Sequence, residues 1–167
     1  MPTLQIGTDD FKEYRDAGGY LVDKSGLIRS VLDGGKVMLL PRPRRFGKTF
    51  NLSMLRYFFE RCGEDRRPLF QDLAIAADSE AMAQLGRYPT LFISLKDVRG
   101  TDWKNAYAKL CGQVSTLYQE HAALRGNLSP VQQRNFDALA LQQAERAVVD
   151  LSLRDLISYL YQATGQP

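Results

Sequence analysis

Residues 36–55, KVMLLPRPRRFGKTFNLSML, constrain the fold of this chain more than any other stretch. The apolar run Val37-Met38-Leu39-Leu40 has the length of one buried strand. Residues 41–46 then carry two prolines among arginines, a composition that no helix tolerates. Gly47-Lys48-Thr49 follows, and directly after it an amphipathic helical pattern. Strand, loop, Gly-Lys-Thr and helix is the order in which a phosphate-binding P-loop is built.

Each part has a chemical reason. Gly47 lets the backbone approach a phosphate without a Cβ in the way. The start of the following helix points N–H groups and the positive end of the dipole at the loop. Lys48 would place an ammonium near the β and γ phosphates, and the Thr49 hydroxyl is a hard oxygen ligand suited to Mg²⁺. The usual spacing asks for glycine at position 42, where this chain has Arg42 between Pro41 and Pro43. A plainer reading is a basic loop at a helix start, with Gly47 making the turn. It leaves Arg42, Arg44, Arg45 and Lys48 crowded with no anion to offset their repulsion.

The stretch PRPRRFGKTFNLSML resembles the signature of the AAA-ATPase-like family, whose loop reads R-P-R-R-F-G-K-T without the first glycine. Tyr20-Leu21-Val22-Asp23-Lys24-Ser25 resembles that family's tyrosine-to-Asp-Lys-Ser/Thr segment upstream of the loop. Residues 88–97, YPTLFISLKD, resemble its second strand, and Thr101-Asp102-Trp103 the start of its long following helix. The resemblance runs over nearly the whole chain. It implies an α/β P-loop NTPase fold that uses ATP and Mg²⁺. Members commonly continue into a nuclease-like domain of the PD-(D/E)XK type, none of whose residues can be located here.

Composition excludes several other classes. A chain of 167 residues is a single domain or a portion of one. A net charge of +3 gives no broad basic face for nucleic acid, the basic signal being local to the loop. Cys62 and Cys111 are too few for a disulfide framework or a metal cluster, and the single His121 argues against a histidine-based zinc site or triad. The first residues, MPTLQIGTDDFKEYRD, lack the apolar core of a signal peptide, and no run is long enough to span a bilayer. The expectation is a reduced, cytoplasmic protein.

Along the chain, a short helix is expected from Thr8, its cap, to Gly18-Gly19, and a second over residues 24–32 with Asp23 as cap. The functional alternative for 23–25 is that Asp23 or Lys24 approaches the nucleotide. The helix of residues 48–61 carries Leu52, Met54, Leu55, Phe58 and Phe59 as a core stripe against the sheet. A short helix over 79–85 and a second strand at about 89–95 follow. Asp97, just past that strand, either faces Mg²⁺ or a water or lies in a surface turn before Gly100. Asp102 caps the longest helix, about 103–124, with His121 packed or partly exposed. Ser129-Pro130 starts the next, to about 144, and a last helix begins near 152.

An NTPase of this kind needs an apolar strand ending in an acid for Mg²⁺ and water. Ala147-Val148-Val149-Asp150 is the nearest match and reads as a helix junction. In the resembled family that Walker B strand follows a helix like 152–163, and here the chain stops at residues 165–167. The chain therefore reads as the N-terminal portion of a single AAA-ATPase-like domain. Residues 1–35 form a helical lead-in, 36–100 the P-loop strand, helix and second strand, and 101–167 a helical segment. The expected function is ATP binding through a variant Walker A loop, without hydrolysis by this chain alone. Arg44, Arg45, Phe46 and Gly47 would cradle phosphates, with Lys48 on the phosphates and Thr49 on the metal. Arg44 or Arg45 would add charge, or meet an acidic partner. The competing expectation is a non-catalytic interaction fragment with a relic P-loop, pairing with a protein partner or itself through an incomplete sheet. Nucleic-acid binding through the arginine loop is the weakest reading.

Overall fold

Helix is the regular structure this sequence forms wherever apolar residues recur at three- and four-residue steps. The computed structural model describes residues 7–41, 43 and 46–165. Its α-helices are α1 (Phe11–Asp16), α2 (Gly26–Leu32), α3 (Lys48–Phe59), α4 (Ser79–Met82), α5 (Trp103–Glu120), α6 (Pro130–Ala140) and α7 (Arg146–Thr164). Short 3₁₀ turns occupy Arg67–Leu69, Ala74–Ala77 and Ala122–Asn127. The residues cluster into two compact units, Met1–Thr90 and Leu91–Pro167.

The expected α/β architecture does not form. Among the described residues there is no strand and no sheet, and β pairing is limited to isolated bridges such as the parallel one between Glu60 and Tyr88. Residues 37–40 and 91–95, the two apolar runs read as strands, lie in different units and carry no ladder. Val37 is 82% and Leu39 84% exposed, the reverse of a buried strand. A strand satisfies its backbone only through a neighbour. An apolar run supplies the side chains for burial but does not supply that neighbour.

In the first unit, Phe11 of α1 is fully buried at the centre of an aromatic cluster. Its ring stacks on Phe70 at 5.3 Å and meets Phe50 edge-on at 5.6 Å, while Phe58 meets Phe70 edge-on at 5.2 Å. Asp10, not Thr8, caps α1, accepting from the Glu13 amide at 3.0 Å. Its other oxygen accepts from the Ser53 and Tyr57 hydroxyls at 3.2 and 3.1 Å, which ties α1 to α3. That bond network draws Ser53 into the interior, where it also accepts from the Phe11 amide at 2.9 Å. The buried face of α3 is accordingly Asn51, Ser53, Met54 and Phe58, with Leu52 exposed. Two polar residues replace some of the expected apolar stripe, and the partners are helices and turns instead of a sheet.

In the second unit α5, α6 and α7 pack around Val114, Leu117, Tyr118, Phe136, Leu139 and Leu156. Asp102 caps α5 through the Asn105 amide at 2.8 Å, as the sequence predicts. Ser129 and Gln132 form a capping box with Pro130 in the first turn of α6. α5 gives way to a 3₁₀ turn after Glu120, so it is shorter than expected, and α6 stops at Ala140. Residues 147–150, read as a junction, lie inside α7.

Candidate functional site

The start of α3 is built by one residue. Gly47 is the N-cap, with φ 68° and ψ 27°, in the left-handed region. The first ladder bond runs from the Asn51 amide to the Gly47 carbonyl at 2.9 Å, and Gly47 has no side chain with which to cap the helix. Among the described residues, a Cβ at position 47 would meet no heavy atom within 4 Å. Glycine is therefore demanded by the backbone conformation and not by crowding, which is the plainer of the two sequence readings, Gly47 making the turn. The same open space leaves room for a ligand against the helix start. Phe46, Gly47 and Lys48 are exposed and Thr49 is half-buried. Arg44 and Arg45, like Arg42, lie outside the described residues.

A cleft of about 250 Å³ opens beside this first turn. α3 contributes Gly47, Phe50 and Asn51, α1 contributes Tyr14, and the segment after α1 contributes Tyr20, Leu21, Val22 and Lys24. The wall is anchored to the core. The Tyr14 hydroxyl donates to the Tyr20 carbonyl at 2.6 Å, and its ring stands edge-on to Phe50 at 5.3 Å. A Cβ at Gly19 would overlap the Tyr14 ring, so the missing side chain is what lets that ring lie where it does.

The upstream Asp-Lys-Ser segment divides its roles. Lys24 lines the cleft. Asp23 is a clamp: its two oxygens accept from the Ser25 amide at 2.7 Å and the Ala74 amide at 2.6 Å. Burial pushes its pKa up, but those amide bonds, with Arg15 nearby, outweigh it and hold the carboxyl below its ordinary value. The fully buried Ser25 accepts from the Ile75 amide at 3.1 Å, so this pair fixes the Ala74–Ala77 turn. α2 itself begins with Ser25 at N-cap and no side-chain cap. Asp97 is exposed in a turn, its carbonyl accepting from the Arg99 amide at 2.8 Å. His121 is partly exposed at the end of α5, its Nδ1 2.8 Å from the Leu117 carbonyl.

Tyr14, Tyr20, Phe50 and Asn51 were not singled out as site residues from the sequence. Asn51 had a signal: four residues after Gly47 it lies on the same helix face, a polar residue in line with Met54, Leu55 and Phe58. Among the described residues no three His, Cys, Asp or Glu side chains come together to hold a metal. No helix among them is long and apolar enough to cross a membrane.

A helix started by a left-handed glycine, with lysine and threonine in its first turn, stands beside a cleft. The chain belongs to the AAA-ATPase-like family, described as "Predicted AAA-ATPase", whose model matches residues 5–167. A protein of Azotobacter chroococcum mcd 1, described as "Uncharacterized protein in vnfD 5'region", is 36% identical over 73 residues. That match covers 43% of this chain and 13% of the relative, so the matched stretch is a small fraction of that protein. No solved structure matches the chain.

Proposed function

We propose that this chain binds ATP with Mg²⁺ at the N-terminus of α3. The observation that carries the reading is the left-handed, exposed Gly47 at the start of α3. Such an end presents partial positive charge to an anion. Lys48 adds a full charge for the β and γ phosphates, and the backbone of Phe46 and Gly47 lies against them. Arg44 and Arg45 belong to the same proposed loop. Mg²⁺ would enter with the nucleotide, held by the Thr49 hydroxyl and phosphate oxygens, since Mg²⁺ is commonly bound through few protein ligands plus substrate phosphates. Membership of an ATPase family supports binding at this site.

Calorimetric titration of Mg-ATP into the wild-type chain and Lys48→Ala tests it. Binding by the wild type with at least a roughly tenfold loss in the variant, about 1.4 kcal/mol, is expected. A folded wild type that takes up no Mg-ATP overturns the reading. The exposed Val37 and Leu39 favour a second one, a non-catalytic protein that docks a partner through this apolar segment. Under that reading Leu39→Lys abolishes concentration-dependent association while nucleotide binding is absent throughout.

A further inference from the structure

We propose that the cleft beside α3 takes the purine base of the bound nucleotide, with Asn51 reading its edge; this rests on the nucleotide site proposed above. Asn51 is only 7% exposed and lines the cleft, yet its side chain makes no hydrogen bond among the described residues. A side-chain amide offers both a donor and an acceptor, and a buried one is ordinarily satisfied. Among the described residues the buried side-chain polar atoms without a partner are those of Arg66 and Tyr107, so the Asn51 amide keeps contact with solvent, and the wall it helps to form belongs to a cavity.

Placement agrees. Asn51 stands four residues after Gly47 on the same helix face, about 6 Å along the axis. A nucleotide whose phosphates meet Gly47 therefore reaches Asn51 with its base, across the length of the ribose. Size agrees as well. A cleft of about 250 Å³ lies below the ordinary range for whole-ligand pockets, about 300–1,000 Å³, so it suits one ring system with the remainder outside. Its walls are chemically right for a flat neutral ring. Tyr14, Tyr20 and Phe50 offer aromatic surface, and among the described lining residues Lys24 alone is charged. Tyr20, 59% exposed, has ring surface left for a base to stack on.

The amide also favours one base. Adenine presents an acceptor, N7, beside a donor, the N6 amino group, and asparagine matches that pair with two hydrogen bonds. Guanine presents two acceptors, N7 and O6, on the same edge, and one would face the Asn51 carbonyl oxygen lone pair to lone pair.

The test compares Mg-ATP, Mg-GTP and magnesium tripolyphosphate on the purified chain by calorimetry. The wild type is expected to bind ATP roughly tenfold or more tighter than GTP, and tighter than tripolyphosphate. Asn51→Leu, of similar size, erases the difference between ATP and GTP and leaves tripolyphosphate affinity in place. Tyr20→Ala, at an exposed position, weakens ATP about tenfold without changing tripolyphosphate and covers the case in which the buried Asn51 variant fails to fold. Equal affinity of the wild type for ATP and GTP overturns the base reading while tripolyphosphate binding keeps the phosphate site. An ATP preference that survives in a folded Asn51→Leu also overturns it. A wild type that binds none of the three refutes the phosphate site and this inference together.

Discussion

Replacing Gly47 by alanine separates what the glycine does for folding from what it does for a ligand. The backbone at 47 has φ 68° and ψ 27°, close to the left-handed minimum. An L side chain there costs about 1–2 kcal/mol, because Cβ crowds the following carbonyl. Alanine returns about 0.4–1 kcal/mol by restricting the unfolded chain. No overlap with the described residues is added, since a Cβ at 47 meets none of their atoms within 4 Å. The net loss of stability is about 1 kcal/mol. With a urea slope of about 1–3 kcal/mol per molar, the unfolding midpoint falls by about 0.3–1 M. Mg-ATP affinity falls by at least about tenfold, because the methyl stands in the space a phosphate would use. Gly47→Asn sharpens the comparison. Asparagine tolerates the left-handed region, so stability recovers toward wild type, but its larger side chain keeps affinity low. Wild-type affinity in either variant refutes a close phosphate approach at Gly47. A stability loss beyond about 3 kcal/mol refutes the open surroundings on which the estimate rests.

Two further outcomes follow from other regions of the chain. Asp23 has a carboxyl pKa held low in the folded state, so its contribution is complete above the unfolded value near 3.9 and is lost as pH falls through the lower folded one. Asp23→Asn keeps only one oxygen for two amides; urea midpoints should lie below wild type at pH 7 and converge on it in acid, and a gap that widens in acid rejects the clamp. Gln142 sits at φ 57° after α6, where the Gln143 and Gln142 amides donate back to Ala138 and Leu139 at 2.8 and 3.2 Å, a Schellman ending. Gln142→Gly should raise stability by up to about 1 kcal/mol, and an unchanged or lower urea midpoint contradicts that account.

Local chemistry was legible in the sequence because it acts over a few residues. Asp102, Ser129 and Pro130 mark helix starts that the chain obeys, since a cap bonds to amides two or three positions away. Family membership was legible for the same reason, in the order of residues around Arg44, Arg45, Phe46, Gly47, Lys48 and Thr49. What the chain could not announce depends on partners distant in sequence. Residues 37–40 and 91–95 carry strand-like composition, but whether such runs pair is settled by what lies beside them. Asp23 reads as a helix cap until residue 74, 51 positions on, is seen to donate to it. Asn51 reads as one polar position on an apolar face until tertiary packing buries it beside Tyr14 and Tyr20. The sequence by itself determined where α3, α5 and α6 begin and which family the loop belongs to, because those follow from neighbours along the chain. Only the tertiary structure decided that the apolar runs stay unpaired and that a cleft opens beside Gly47, because burial and pairing are properties of surfaces brought together from far apart.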